Sequence, residues 1–280
     1  MGRKPDASRY PIEQLYTKLR SRSEARGSAL LSALLPRHRR LLIEGQHGAG
    51  KTTFLHLVAT LLARDCLRRT DPGGGSWRAA LGFDETAPPP VPLFLELSDM
   101  VFLLEKDPRT GSDDRYRLLE LLDGTAGAAP GPEWRRHWQE LLEEGRAILL
   151  LDGLDEVADD RLRERVFAIF RDACKHWDKS PMVVTSRPIA VEAVKKMGFH
   201  HAVIESFGAT EVREFINRWV AALHNLPIGQ RPEGAAGAKA DAIVGAVLTR
   251  PAIRLMAAKP STSSPALSST KAAGSGSIPC

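Results

Sequence analysis

Short apolar runs alternate along the chain with stretches whose apolar residues recur every three or four positions. That alternation predicts an α/β fold built on a mainly parallel sheet. Leu41, Leu42 and Ile43 read as a short buried strand. Phe54, Leu55, Val58, Leu61 and Leu62 have helical spacing, so a helix is expected over residues 52–64. Residues 91–97 and 182–185 read as further strands, and 202–204 as a last one. Residues 147–151 are apolar throughout and end at Asp152, which suits a central strand buried on both faces. Helices are expected over 115–122, 134–144, 160–176 and 210–223, the last with Thr210 as its N-cap. A weaker, alanine-rich helix is expected over 235–248. Residues 71–90 contain three consecutive glycines and three consecutive prolines, which mark a surface loop.

Composition narrows the class. Apolar residues make up 43% of the 280 positions and charged residues 26%, as in a folded globular protein. After residue 258 the chain becomes rich in Ser, Pro, Ala, Thr and Gly, and such a tail buries too little to order itself. No apolar run approaches the roughly 20 residues that a membrane-spanning helix needs. The first residues are polar and basic with no apolar core behind them, unlike a secretory signal. Cys66, Cys174 and Cys280 are far apart and include no CxxC pair, which argues against a disulfide framework or a zinc site. A cytoplasmic location is the default expectation. The net charge is +5 and the densest basic cluster is Arg37-His38-Arg39-Arg40. No aromatic residues are interleaved with it, so a solvated loop is expected there rather than a nucleic-acid platform.

Three segments carry candidate chemistry. Gly45-Gln46-His47-Gly48-Ala49-Gly50-Lys51-Thr52 matches GxxxxGK[ST] in full, after a strand and before a helix. Gly45, Gly48 and Gly50 allow a backbone that side chains would block. The loop N–H groups then face phosphate oxygens at a helix N-terminus. Lys51 brings a cation to the outer phosphates, Thr52 a hydroxyl to Mg²⁺, and Thr53 a further hydroxyl near the α-phosphate. The second segment, Asp152-Gly153-Leu154-Asp155-Glu156, follows the central strand, where open α/β sheets place ligand chemistry. Asp152 is expected to hold the Mg²⁺, and Asp155 or Glu156 to orient or deprotonate the attacking water. The third is Val183-Val184-Thr185-Ser186-Arg187-Pro188. Here Thr185 or Ser186 could bond the γ-phosphate or the water, and Arg187 could sense the γ-phosphate.

Together these segments resemble the NACHT family of STAND NTPases. The distinguishing piece is a small residue after the Mg²⁺ aspartate, then acids three and four places beyond that aspartate. The Thr-Ser-Arg-Pro segment resembles the family's sensor strand, and Pro92 to Leu97 its second strand. Thr249-Arg250-Pro251 resembles the segment whose proline packs near adenine, and Pro11 to Leu19 the lead-in found before the P-loop in bacterial members. The resemblance implies a P-loop parallel sheet of the ASCE/AAA+-like kind, with the sensor strand between the P-loop and Walker B strands. A small, incomplete helical subdomain follows. The expected divisions are a lead-in helix or linker over 1–36, the nucleotide-binding α/β domain over 37–206, the helical subdomain over 207–258 and a disordered tail over 259–280.

The resemblance also implies ATP and Mg²⁺ as ligands, slow hydrolysis, and a homo-oligomer or an unknown protein partner in signalling or defence. Nucleic acid and membrane are not expected as partners. The family's effector, winged-helix and repeat domains have no counterpart here, so the chain reads as a truncated or minimal member. Two alternatives remain: an AAA+-like ATPase acting on nucleic acid, which the basic pI near 9.2 favours, and an inactive interaction fragment, which the tail favours.

Overall fold

In the computed structural model, the described residues are 16–23, 27–68, 76–106, 115–125, 132–157, 159–188, 191–227 and 229–249. Strands form where apolar residues alternate between two covered faces. Five run parallel: β3 (Arg40–Glu44), β4 (Val91–Glu96), β5 (Ala147–Asp152), β6 (Met182–Ser186) and β7 (His200–Ile204). Along β5 every residue is buried, with Leu149 and Leu151 in one core and Ile148 and Leu150 in the other. β3 divides likewise, Leu42 to one side and Leu41 and Ile43 to the other. This two-sided burial is what an uninterrupted apolar run in a parallel sheet provides.

Two strands precede the parallel set. β1 (Arg20–Ser23) and β2 (Gly27–Leu30) form an antiparallel hairpin, and β1 pairs antiparallel with β7 through Ser21↔Ile204 and Arg22↔Val203. The seven described strands are ordered β2-β1-β7-β3-β6-β5-β4. The two strands, Arg20–Ser23 and Gly27–Leu30, stand where a lead-in helix or linker over 1–36 was expected. The expected strand order is found: β6, which carries Thr185 and Ser186, lies between β3 and β5.

Helix α1 (Lys51–Cys66) covers one face, burying Phe54, Leu55, Leu57, Val58, Leu61 and Leu62. Each such side chain contributes about 1.5–3 kcal/mol on full burial, so α1 is anchored firmly against the sheet, over β4 and β5. The other face is covered by α2 (Leu97–Lys106), α3 (Tyr116–Thr125), α4 (Pro132–Glu143), α5 (Asp160–His176) and α6 (Val191–Lys195). Asp159 caps α5 by accepting from Leu162 N–H at 2.8 Å. At the far end of α5, Arg40 donates to the carbonyls of Ser180, Trp177 and Cys174. One member of the basic cluster is therefore a structural clamp on a helix C-terminus.

α7 (Ala209–Leu223) and α8 (Gly234–Thr249) pack on each other through Val212, Ile216, Val220, Ala240 and Val244. Phe207 packs against both this small core and the α1-side core. Gly208, not Thr210, is the N-cap of α7, and its N–H donates to the Glu211 carboxylate at 3.0 Å. Pro251, the 259–280 tail and most of the lead-in to the P-loop lie outside the described residues.

Candidate nucleotide-binding site

Parallel strands place all their C-terminal ends on one edge of the sheet. The chain leaves β3 at Glu44, turns through Gly45 to Gly50, and enters α1 at Lys51. Gly50 is the N-cap of α1 with φ +88°, a left-handed conformation that costs a side-chain-bearing residue roughly 1–2 kcal/mol. Gln46, His47 and Gly48 are exposed on the loop, and Ala49 N–H donates to the Gln46 carbonyl at 3.1 Å. Thr53 is exposed on the first turn of α1. Lys51 Nζ donates to the carbonyls of Gly45 at 2.7 Å and Gln46 at 3.2 Å, which holds the ammonium across the loop. Burial pushes its pKa below the usual lysine value. The Asp155, Asp152 and Glu156 charges oppose that shift and the Arg187 charge adds to it.

Asp152 ends β5 beside this helix start. Thr52 Oγ1 donates to Asp152 Oδ2 at 2.6 Å, across 100 residues of sequence. The other carboxylate oxygen, Oδ1, accepts from Thr185 Oγ1 on β6. Thr185 is fully buried, and its hydroxyl also accepts from Gly153 N–H at 2.9 Å. Ser186 is buried too, and its hydroxyl donates to the Arg187 carbonyl. Both hydroxyls thus donate within the protein, Thr185 to the Asp152 carboxylate and Ser186 to a backbone carbonyl.

The chain turns sharply after Asp152. Gly153 has φ +80°, and Leu154–Glu156 form a single 3-10 turn. The turn sends the two remaining acids different ways. Asp155 accepts from Arg187 Nε at 2.7 Å and from Arg187 N–H at 3.0 Å, and its side chain is only 6% exposed. Glu156 is exposed; its N–H donates to the Gly153 carbonyl at 2.9 Å, while its carboxylate has no hydrogen-bond or ion-pair partner among the described residues. Partial burial raises its pKa first, followed by the charges of Asp155, Asp152 and Glu96. Glu96 was not expected at the site. It ends β4 in register with Asp152, and the signal that would have found it is the same as for Asp152: an acid closing an apolar strand.

The donor set suits a hard cation and a phosphate chain. A hydroxyl and a carboxylate oxygen lie 2.6 Å apart at the N-terminus of a helix, beside a glycine-rich turn and a lysine. The structure brings together Lys51, Thr52, Asp152, Thr185, Asp155, Glu156 and Arg187. Among the described residues, no group of three or more His, Cys, Asp or Glu side chains forms a metal cluster, so any cation here would lean on Thr52 and ligand oxygens as well as Asp152.

Residues 93–222 match the model of the NACHT domain. Over this span the chain is similar to NACHT domains. The matched span runs from β4 through α7 and includes the Asp152–Glu156 turn and β6, while the P-loop, residues 45–52, lies upstream and outside it. The P-loop and the strand order are those of a P-loop NTPase fold, and the likeness to the NACHT domain covers residues 93–222. Among solved structures, domain III of the Thermotoga maritima replication initiation protein DnaA is 13% identical, with 81% of this chain and 80% of that chain covered and a TM-score of 0.40. AMPPCP-bound DnaA from Aquifex aeolicus is also 13% identical, with 79% and 60% covered and a TM-score of 0.37. No curated protein matches the chain. No helix among the described residues is long and apolar enough to cross a membrane.

Proposed function

We propose that this NACHT domain is an ATP-dependent switch that binds Mg-ATP and hydrolyses it slowly in the cytoplasm. The observation that carries the reading is the 2.6 Å contact between Thr52 and Asp152, which joins the start of the P-loop helix to the end of the central strand. Glycines, a helix N-terminus and Lys51 supply a cradle for a triphosphate; Thr52 and Asp152 supply oxygens for Mg²⁺. Bound Mg²⁺ neutralises phosphate charge and fixes the phosphate geometry. The remaining roles fall to side chains of this chain. Lys51 leaves its two loop carbonyls for the outer phosphates. Glu156, whose carboxylate is unengaged, orients and deprotonates the attacking water. Arg187 lies next to these groups, held by Asp155, and senses the γ-phosphate. Asp155 is thus assigned to Arg187 and Glu156 to the water, a division that the sequence left open.

Assembly of ATP-loaded copies and a role in signalling or defence accompany this reading by family resemblance. Presence of the γ-phosphate would order the Arg187 segment, and its loss would release it. The test is isothermal titration calorimetry of Mg-ATP with the wild type and with Lys51→Ala. The expected loss is at least about tenfold in affinity, or roughly 1.4 kcal/mol. Equal affinities would reject the site.

A further inference from the structure

We infer that Thr185 is a positioning residue that sets the metal affinity of the site by fixing the carboxylate of Asp152. The inference rests on the proposed Mg-nucleotide reading and deepens it. The structural case has three parts. First, Thr185 is fully buried and β-branched, so its side chain is confined to few rotamers. Second, its hydroxyl is engaged twice: it donates to Asp152 Oδ1 and accepts from Gly153 N–H at 2.9 Å. These two bonds tie β6 to both the last residue of β5 and the left-handed turn that follows. Third, the carboxylate is divided between two hydroxyls. Oδ1 is held by Thr185 from inside the sheet, and Oδ2 meets Thr52 at the mouth of the P-loop.

That division has a chemical consequence. A carboxylate with one free rotation presents its oxygens over a wide arc. Here Oδ1 is pinned from behind, which leaves Oδ2 directed at Thr52, the hydroxyl that would share a bound cation with it. Partners that orient a ligand side chain without touching the metal typically contribute 10–100-fold to metal affinity. Thr185 belongs to that class. It has no free hydrogen with which to reach a phosphate, because its single O–H is committed to Asp152.

The test separates metal binding from nucleotide binding. Fluorescent ATP is bound to the wild type, Thr185→Val and Thr185→Ser, once in EDTA and once over a Mg²⁺ titration, with thermal melting alongside. In Thr185→Val the metal-free affinity should stay at the wild-type value while the Mg²⁺ midpoint rises at least about tenfold. Thr185→Ser should return the midpoint toward wild type, since it restores both hydrogen bonds. A merely structural role would lower the two affinities in parallel, and that result, or an unchanged midpoint in Thr185→Val, overturns the inference. If Thr185→Val does not fold, Thr185→Cys carries the same readout, because its thiol is a weak donor of similar size. A wild type whose nucleotide binding ignores Mg²⁺ rejects the functional reading itself, and is told apart because it needs no variant.

Discussion

Asp155 and Glu156 are adjacent acids with opposite environments, and exchanging each for its amide should separate stability from turnover. Asp155→Asn removes the charge that meets Arg187 Nε at 2.7 Å and weakens the acceptor for Arg187 N–H at 3.0 Å. The Arg187 side chain is 44% exposed, so water screens the ion pair, which is worth only about 0.2–1 kcal/mol. The bond from a backbone N–H to a charged acceptor is worth about 1.5–3 kcal/mol, of which a neutral amide oxygen keeps part. Together the loss comes to about 1–2 kcal/mol. A domain of this size loses about 2–4 °C in Tm per kcal/mol, so Asp155→Asn should melt about 2–8 °C below wild type. Glu156→Gln breaks no bond to a described residue and should not lower Tm. Its effect should fall on single-turnover hydrolysis, by about 10²–10⁴-fold if the carboxylate is the base, with ATP affinity retained. The assay pairs calorimetric melting with single-turnover hydrolysis on the same preparations. Normal melting in Asp155→Asn together with a larger loss of turnover than in Glu156→Gln would refute the division of roles.

Further outcomes follow from the same geometry. Partial burial and the neighbouring acids raise the Glu156 pKa, so its carboxylate protonates at a higher pH than an ordinary glutamate. Hydrolysis should therefore decline on acidification earlier than for an unperturbed carboxylate, and a pH–rate profile at saturating Mg-ATP checks this. The stability sign runs the other way: the charged form is the disfavoured one, so Glu156→Gln should melt above wild type at neutral pH, with the gap closing as pH falls through the raised pKa. Arg40→Ala strips a charged donor from three carbonyls at the end of α5 and should cost about 1.5–3 kcal/mol in a urea melt, with Mg-ATP affinity unchanged in the folded protein.

The site was legible because its chemistry is local. Gly45 to Thr52 and Asp152 to Glu156 are contiguous motifs, and the run of residues 147–151 announces a buried strand by itself. What the sequence hid depends on partners far away in the chain. Arg20–Ser23 is a strand without an apolar pattern, and it forms because β7 offers Val203 and Ile204 as partners. Helix α2 starts directly after β4, so its first apolar residues merge with those of the strand and blur the change of period. Thr210 looked like a cap, but the Glu211 carboxylate reaches the Gly208 N–H and the cap lies two residues earlier. The pairing of Arg187 with Asp155, which assigns one acid and frees the other, joins the ends of two strands and leaves no local trace.

The β1–β2 hairpin bears on how the protein avoids associating with itself. A sheet ending at β7 would offer a row of unpaired N–H and C=O groups beside the apolar Ala202, Val203 and Ile204, a template for a foreign strand. The hairpin moves that border onto Gly27–Leu30, only four residues long. On the opposite border β4 carries Pro92, which deprives that side of one donor. Deleting residues 20–30 should thus reveal itself first as aggregation on refolding, since the P-loop strand β3 already has β6 and β7 on its two sides.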